Sequence, residues 1–279
     1  MPIAETDAGA VHYTHNGVRN GAAALVLIHG AGGQGRDWPM EWRYTTNAVI
    51  GVGVRPISSS ATFTDRPVYT IDLPGHANSP GSASEDIGAY VRAVSSFIGT
   101  LPDDAAIPVG HSMGGGIAVM LARDPSLPIA GAVIIGSAAR LPVTDQILDG
   151  LRDAFEPTVD AIVKYCWARS APEVYRATGR RRMRAAGPEV TRADFVACNG
   201  YSAKDTLADV GVPVLVISGE ADKMVPSAAS EKLAAGVAHG AFVSIPGGGH
   251  FVHVEQAGRV GAEIKAFAKR CDAATGRSD

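Results

Sequence analysis

The stretch VGHSMGGG, residues 109–116, places a single serine, Ser112, between glycines two positions away on either side. It follows an apolar run typical of a buried strand and leads into an apolar stretch with helical spacing. A serine on so sharp a turn needs an unusual backbone, often with positive φ, and its flanking residues approach each other closely. Gly110 and Gly114 meet that need. The G-x-S-x-G pattern therefore predicts a strand–serine–helix turn rather than a flexible glycine loop.

The position of Ser112 also predicts chemistry. Ligands of open α/β sheets bind at the carboxyl ends of the parallel strands, which is where this turn would raise the hydroxyl. The amide of Met113 begins the following helix and would point toward an oxyanion formed there. We therefore predict that Ser112 is a nucleophile and that Met113 supplies an oxyanion-hole donor.

The rest of the chain alternates between strand and helix patterns. Six runs rich in Val, Ile and Leu end in glycine or a polar turn, at 22–30, 66–76, 105–112, 129–137, 212–222 and 241–250. Such continuous runs suit strands buried on both faces of a parallel sheet. Helical patterns occupy 84–101, 113–124, 227–237 and 254–270. The alternation predicts an α/β fold with a doubly wound, mostly parallel sheet, and residues 9–17 predict an antiparallel edge.

Three features interrupt this rhythm. Residues 141–205 carry helical patterns and no strand pattern, which predicts a helical insertion in a core domain made of 1–140 and 206–279. Residues 43–65 are irregular and predict a long loop. Pro108 lies in the predicted central strand, where its missing N–H would break a ladder bond, so we expect a bulge just before the serine turn.

Composition sets limits on partners and compartment. The chain has 279 residues, 46% of them hydrophobic, and a formal net charge of −3, which argues for a soluble globular protein and against nucleic-acid binding. Its three cysteines form no metal-binding pattern, so we expect no metal and reduced thiols in a cytoplasmic protein. The N-terminus, MPIAETDAGA, shows no secretory signal, and no apolar run is long enough to span a bilayer, so no membrane partner is expected.

With these features, the chain resembles the α/β-hydrolase superfamily over nearly its whole length. GHSMGG resembles the family's nucleophile elbow, and LIHGAGG, residues 27–33, resembles the loop that supplies the second oxyanion-hole amide. DLPGHANSPG, residues 72–81, is similar to a common family stretch, with Ala77 where a glycine is often found. The resemblance implies the α/β-hydrolase fold, with the insertion as the family's helical lid.

The resemblance also implies the rest of the catalytic site. The family's acid is common in GExDxxVP, and GEADKMVP supplies Asp222. The family's histidine follows the last strand, where GGGHFVHVE supplies His250. By position the second oxyanion-hole amide belongs to Ala31, with Gly32 as the fallback. Serine, acid and histidine then occur in the chain order of this fold.

Other residues compete for these roles. His253 is a second candidate base, although His250 follows the glycine run directly and His253 is predicted to enter the next helix. Some family members carry the acid after the preceding strand, but there the first carboxylate here is Asp145. Asp72 also follows a strand, on a turn where it is predicted to brace backbone amides.

The sequence also suggests which residues line the pocket. We expect His29 and His111 to be structural or to line the pocket, and we take His111, Gly32 and Trp167 as candidate substrate contacts. Further lining candidates in the insertion are Tyr165, Phe155 and Met183. The segment YRATGRRRMR, residues 175–184, holds five arginines: Arg176, Arg180, Arg181, Arg182 and Arg184. We interpret this run as a solvated helix face; the alternative is a phosphate-binding patch for an acyl-coenzyme A or an acidic carrier protein.

Taken with the resemblance, the residues predict a serine hydrolase that cleaves a carboxylic ester or thioester of a small acyl substrate through an acyl-enzyme, with no cofactor. A serine nucleophile argues against the family's dehalogenases and epoxide hydrolases, which use aspartate. Carbon–carbon hydrolases and cofactor-free haloperoxidase-like enzymes share the same triad and stay open as alternatives. A non-catalytic, ligand-binding member of the fold is the third alternative.

Overall fold

A computed structural model describes residues 2–44 and 62–277 of the protein. Most of the predicted loop at 43–65 lies outside these residues. The described part contains one eight-stranded sheet, in the order β1-β2-β4-β3-β5-β6-β7-β8. Its strands are β1 (Ile3–Thr6), β2 (Gly9–His15), β3 (Ala24–Ile28), β4 (Val68–Ile71), β5 (Ala106–His111), β6 (Ala132–Ile135), β7 (Val214–Gly219) and β8 (Gly240–Ile245).

The sheet is mostly parallel. From β4 through β8 every neighbouring pair is parallel, whereas β2 pairs antiparallel with both β1 and β4. Each of the six predicted apolar runs forms a strand. Residues 9–17 form β2, which is antiparallel as predicted but is not the edge, because β1 lies outside it. Strand β1 was not predicted, because its residues are only partly buried and carry no apolar run.

Pro108 lies in β5 without the bulge expected there, so that prediction is wrong. The register of β5 against β3 is unbroken. On the β6 side, Ala106 pairs with Ile129 and the next pair is Val109 with Val133. Three residues of β5 therefore lie opposite four residues of the segment that leads into β6. The amide of Ala106 bonds toward the β6 side, and alternate residues face the same neighbour. The ring nitrogen of Pro108 thus faces the interruption, where no donor is needed.

Helices cover both faces of the sheet. In the described residues they are α1 (Met40–Arg43), α2 (Ile87–Gly99), α3 (Met113–Ala122), α4 (Asp145–Asp153), α5 (Phe155–Cys166), α6 (Glu173–Gly200), α7 (Ser227–Ala235), α8 (Val252–Glu255) and α9 (Ala257–Ala274). Helices α2, α3 and α7 share one apolar core with one face of the sheet, and α9 packs in a second core with Trp42 of α1. This arrangement is the predicted doubly wound α/β fold.

The insertion at 141–205 consists of α4, α5 and α6 and adds no strand to the sheet. Its apolar side chains form a third core, which includes Leu151, Val159, Ile162 and Phe195. Helix α6 is interrupted at Gly187, where φ is +86° and Pro188 follows. No helix within 2–44 and 62–277 has the length and apolar character to cross a membrane.

Candidate active site

Ser112 lies on the turn between β5 and α3 with φ +53° and ψ −116°. A Cβ on Gly110 would lie 1.9 Å from the carbonyl oxygen of Gly114, and one on Gly114 would lie 2.3 Å from that of Ile28. Both glycines are therefore required by sterics, as the sequence predicts. The Ser112 amide donates to the carbonyl of Ile135 on β6 at 2.9 Å, which ties the strained turn to the neighbouring strand.

Asp222 and His250 meet at the carboxyl ends of β7 and β8. Nδ1 of His250 lies 2.8 Å from Oδ2 of Asp222, and both residues are buried. The other carboxylate oxygen of Asp222 accepts the amides of Met224 and Val225, at 2.8 and 2.9 Å. With a proton on Nδ1 donated to the carboxylate, the imidazole presents the Nε2 lone pair needed by a general base.

The end of β6, the alternative position for the acid of the triad, carries no carboxylate. Strand β6 leads to Gly136, whose φ is +55° and where a Cβ would lie 3.2 Å from Nδ1 of His250. The end of the preceding strand thus reaches the Asp222–His250 pair but contributes a glycine. Asp145, the first carboxylate beyond it, begins α4 and is exposed.

The competing histidine, His253, forms no hydrogen bond with Asp222 within the described residues. His253 lies in α8, as predicted, with its ring centroid 4.4 Å from that of His111. Burial, together with the charge of His250, lowers its pKa to about 3, and its Nδ1 has no hydrogen-bond partner in the described part of the chain. A ring held neutral against aromatic neighbours is a structural side chain rather than a proton acceptor at neutral pH.

Ser112 and His250 line one cavity of about 200 Å³. The Ser112 hydroxyl forms no hydrogen bond within the described residues, and such contacts often tighten only when substrate is bound. The polar end of the cavity also includes Ala31 and His111. The remaining wall is mainly apolar and includes Ala138, Leu141, Ile162, Phe195, Met224 and Val225.

The loop after β3 brings Ala31, whose amide is free within the described residues, to this cavity. The amide of Gly32 donates to Oδ2 of Asp194 at 2.8 Å, so the fallback oxyanion donor is already engaged. Gly32 also lies on a second cavity rather than on the one with Ser112, which corrects its predicted substrate contact. The amides of Ala31 and Met113 donate to no acceptor in the described part of the chain.

Asp72 braces backbone amides, as the sequence predicts. Its Oδ1 accepts the amide of Gly35 at 2.7 Å, and its Oδ2 accepts both the amide and the side-chain nitrogen of Asn78. Burial alone would raise the pKa of Asp72, but these hydrogen bonds and the nearby His29 outweigh it and lower the pKa. Beside this turn, Ala77 has φ +44°, the left-handed conformation that glycine would adopt without strain.

The other predicted pocket residues divide between two cavities. His111 lines the Ser112 cavity and donates from Nε2 to the carbonyl of His250 at 3.0 Å. Burial and the neighbouring His253 and His250 keep the pKa of His111 well below its usual value, so its ring is neutral. Met183 lines both cavities, whereas Trp167 lines only the second, of about 400 Å³.

Two lining predictions in the insertion are wrong. Tyr165 is 49% exposed, and Phe155 packs against the insertion's own core. Both lie on α5, whose inner side is formed by other residues of the helix such as Ile162.

Most of the arginine run is paired within the chain. Arg176 donates to the carbonyls of Ala168 and Ala171, and Arg182 pairs with Asp37. Further partners are the carboxylates of Glu173 and Asp160 for Arg180, and of Glu156 and Asp160 for Arg184. These contacts favour the helix-face interpretation over a phosphate-binding patch, because the charges are already matched.

The cysteines lie in apolar surroundings. Cys166, Cys198 and Cys271 are buried and unpaired, and burial raises the pKa of each thiol. No cluster of three or more His, Cys, Asp or Glu residues suited to a metal ion occurs in the ranges 2–44 and 62–277.

The sequence patterns did not predict Asp194 as a residue of the site. This residue lies in α6, is fully buried and contacts Gly32 in the loop after β3 and His76 in the turn after β4. The only signal was a single carboxylate in the otherwise apolar stretch ADFVAC, and nothing in that stretch specifies its partners.

The sheet, the serine turn and the Asp222–His250 pair are those of an α/β hydrolase. Residues 25–263 match the model of the Alpha/beta hydrolase family, and the chain belongs to that family. It is 26% identical to the "Dihydrolipoyllysine-residue acetyltransferase component of acetoin cleaving system" of Cupriavidus necator, over 94% of this chain and 67% of that protein. It is 28% identical to a "Bifunctional esterase/perhydrolase" of Acinetobacter calcoaceticus, over 72% of this chain and 80% of that protein.

A solved structure extends the likeness to three dimensions. The structure of a thermophilic esterase superposes with a TM-score of 0.79 at 26% identity and covers 97% of both chains. The protein is therefore a hydrolase of the α/β-hydrolase family.

Proposed function

We propose that the protein is a serine hydrolase that cleaves a small carboxylic ester or thioester, with Ser112, His250 and Asp222 as its catalytic triad. The observation that carries this proposal is the 2.8 Å contact between Asp222 and His250, the histidine that lines the same cavity as Ser112. Each catalytic group then comes from the carboxyl end of a different parallel strand.

The chemistry follows from these groups. His250 takes the hydroxyl proton as Ser112 attacks the substrate carbonyl, and it returns that proton to the departing alcohol or thiol. Asp222 holds the imidazole in the required tautomer and stabilises its protonated form. The amides of Met113 and Ala31 stabilise the tetrahedral oxyanion, an effect worth about 3–4 kcal/mol per donor. Water, deprotonated by His250, then hydrolyses the acyl-enzyme and releases the acid.

The cavity argues for a short, mainly apolar acyl group, and its lining also includes Arg140 and Asp37. Its volume of about 200 Å³ is below the roughly 300–1,000 Å³ typical of pockets for larger ligands. Leu141, Ile162 and Phe195 of the insertion close its apolar side. We therefore assign the insertion at 141–205 the role of a lid that selects the acyl group, over a core domain formed by 1–140 and 206–279.

The test is covalent labelling combined with turnover. A fluorophosphonate probe should label the wild type, and Ser112→Ala should lose both labelling and hydrolysis while keeping its fold by circular dichroism. Ser137→Ala is the control, since Ser137 is a buried serine whose hydroxyl, like that of Ser112, has no hydrogen-bond partner in the described residues. Labelling that persists in Ser112→Ala would refute the assignment. A series of p-nitrophenyl esters and thioesters should show rates that fall once the acyl chain outgrows the cavity.

A second activity is supported by the relative from Acinetobacter calcoaceticus, whose name combines esterase with perhydrolase. Hydrogen peroxide in place of water would attack the same acyl-enzyme, giving a peracid and regenerating the Ser112 hydroxyl. Peracid formation from a short acid or ester in the presence of hydrogen peroxide, lost in Ser112→Ala, would establish it. Ester hydrolysis without any peracid would leave the protein a hydrolase alone.

A further inference from the structure

We propose that Asp194, from the helical insertion, is a positioning residue that fixes the oxyanion loop, residues 29–33, so that the amide of Ala31 faces the substrate carbonyl. The inference rests on the proposed function of Ala31 as an oxyanion-hole donor. It assigns the insertion a part in transition-state stabilisation in addition to the selection of the acyl group.

The carboxylate of Asp194 is fully buried, and both of its oxygens accept hydrogen bonds. Its Oδ2 accepts the amide of Gly32 and lies 2.8 Å from Nε2 of His76, and its Oδ1 accepts the hydroxyl of Tyr90 at 2.6 Å. A buried carboxylate is costly unless it is paired and hydrogen-bonded. All three partners belong to the core domain, so this one side chain joins α6 to the oxyanion loop, the turn after β4 and α2.

His76 supplies the matching charge. Its Nδ1 lies 3.0 Å from the carbonyl oxygen of Pro74, and its Nε2 faces Asp194, so both ring nitrogens meet acceptors. Only the protonated ring can donate to both. Burial lowers the pKa of His76, but the carboxylate of Asp194 more than offsets this and raises it. The pair therefore holds no net charge beside the active site.

The hydrogen bonds leave the Ala31 peptide little freedom. The carbonyl of Gly30 shares a peptide plane with the Ala31 amide and accepts bonds from the Gly33 amide at 3.1 Å and from Nδ1 of His29 at 2.9 Å. Because a trans peptide directs its N–H opposite to its C=O, these two bonds aim the Ala31 N–H. The following peptide carries the Gly32 N–H, which Asp194 holds.

Asp194 thus fixes the Gly32 amide, whereas the bonds to the Gly30 carbonyl come from residues of the core domain. Gly32 has φ +61°, a conformation from which glycine can rotate readily. Without its acceptor, the Gly32 N–H would be left unpaired in a buried site, or would turn and take the Ala31 peptide with it. The oxyanion forms only in the transition state, so the damage should fall on kcat rather than on KM.

The test compares Asp194→Ala with Tyr90→Phe, using the ester substrate on which the wild type is active. Asp194→Ala removes the acceptor of the Gly32 amide, so it should lower kcat about 10- to 100-fold, near the loss of one oxyanion-hole donor, with KM changed by less than about threefold. Tyr90→Phe removes a different bond to the same carboxylate and leaves the Gly32 contact in place, so its kcat should stay within about threefold of the wild type. Thermal melts of both variants separate stability from rate.

Two results would overturn the inference. One is a folded Asp194→Ala enzyme with wild-type kcat, and the other is an equal loss of kcat in Asp194→Ala and Tyr90→Phe. If Asp194→Ala does not fold, Asp194→Glu keeps the charge beside His76 but displaces the carboxylate, and the same selective loss of kcat is expected. The proposed function fails separately, through full activity in Ser112→Ala.

Discussion

The backbone amide of His250 donates to the carbonyl oxygen of Cys166, the last residue of α5, at 2.9 Å. The amide of Phe251 donates to the same oxygen at 3.2 Å, and the side chain of Glu255 accepts the amides of both Ala168 and Gly249. The insertion is therefore bonded to the loop that carries the proposed general base. Asp194 makes the equivalent link to the oxyanion loop.

These links predict an insertion that stays closed over the site. In hydrogen–deuterium exchange, the peptide covering residues 249–252 should exchange nearly as slowly as β5, because the amides of His250 and Phe251 are bonded to Cys166 of α5 and that of Gly249 to Glu255. The segment at 80–82, whose residues are exposed, serves as the fast-exchanging control. Rapid exchange at 249–252 beside a protected β5 would show that the insertion opens as a unit.

Asp222→Asn is expected to lower kcat about 10⁴-fold with little change in melting temperature. The asparagine oxygen can still accept the amides of Met224 and Val225, but its NH₂ group would face Nδ1 of His250 and force the wrong tautomer. The measurement is kcat on an activated ester beside a thermal melt.

Asp222→Ala provides the comparison for this variant. It removes the turn contacts as well, so it should lose stability in addition to rate. A kcat for Asp222→Asn within tenfold of the wild type would mean that Asp222 is not the acid of the triad.

Buried neutral histidines should make the protein sensitive to acid. Burial is the main cause that lowers the pKa of His29 to about 4 and of His253 to about 3, and it also lowers that of His111. Their unfolded value is about 6.5, so below that pH the unfolded state binds protons that the folded state does not. The free energy of unfolding should therefore fall as the pH drops from 6.5 toward 4, by about 1.4 kcal/mol per pH unit for each histidine.

Urea denaturation at several pH values tests this slope. His253→Leu should reduce the slope by about 1.4 kcal/mol per pH unit, whatever its effect on stability at neutral pH. Val252→Ala, a buried neighbour that does not titrate, should lower stability by the same amount at every pH. An unchanged slope in His253→Leu would show that this histidine is charged in the folded protein.

Ala77→Gly should stabilise the protein by about 1 kcal/mol. Ala77 is exposed and has φ +44°, so glycine would relieve left-handed strain without loss of packing. Ala8→Gly is the control, because Ala8 is also an exposed turn residue but lacks a positive φ, and glycine there should destabilise slightly through unfolded-state entropy. Thermal melts in which Ala77→Gly is less stable than the wild type would contradict the expectation.

The sequence alone determined what short-range sterics and hydrophobic pattern can encode. The turn at Ser112 was predictable because Gly110 and Gly114 are dictated by backbone contacts a few residues away. The strands were predictable because burial on both faces demands unbroken apolar runs. The positions of Asp222 and His250 followed from motifs set at the ends of β7 and β8.

Only the tertiary structure decided which polar groups meet across long separations in the chain. The engagement of the Gly32 amide by Asp194 depends on how α6 packs over the oxyanion loop, 162 residues away. Pro108 lies in β5 without the expected bulge because the extra residue lies in the neighbouring strand. No pattern in the sequence around Pro108 reveals the register of that neighbour. Trp167, which directly follows α5, lines the second cavity. The sequence could not predict this, because the position of an inserted helix is set by its packing and not by its own periodicity.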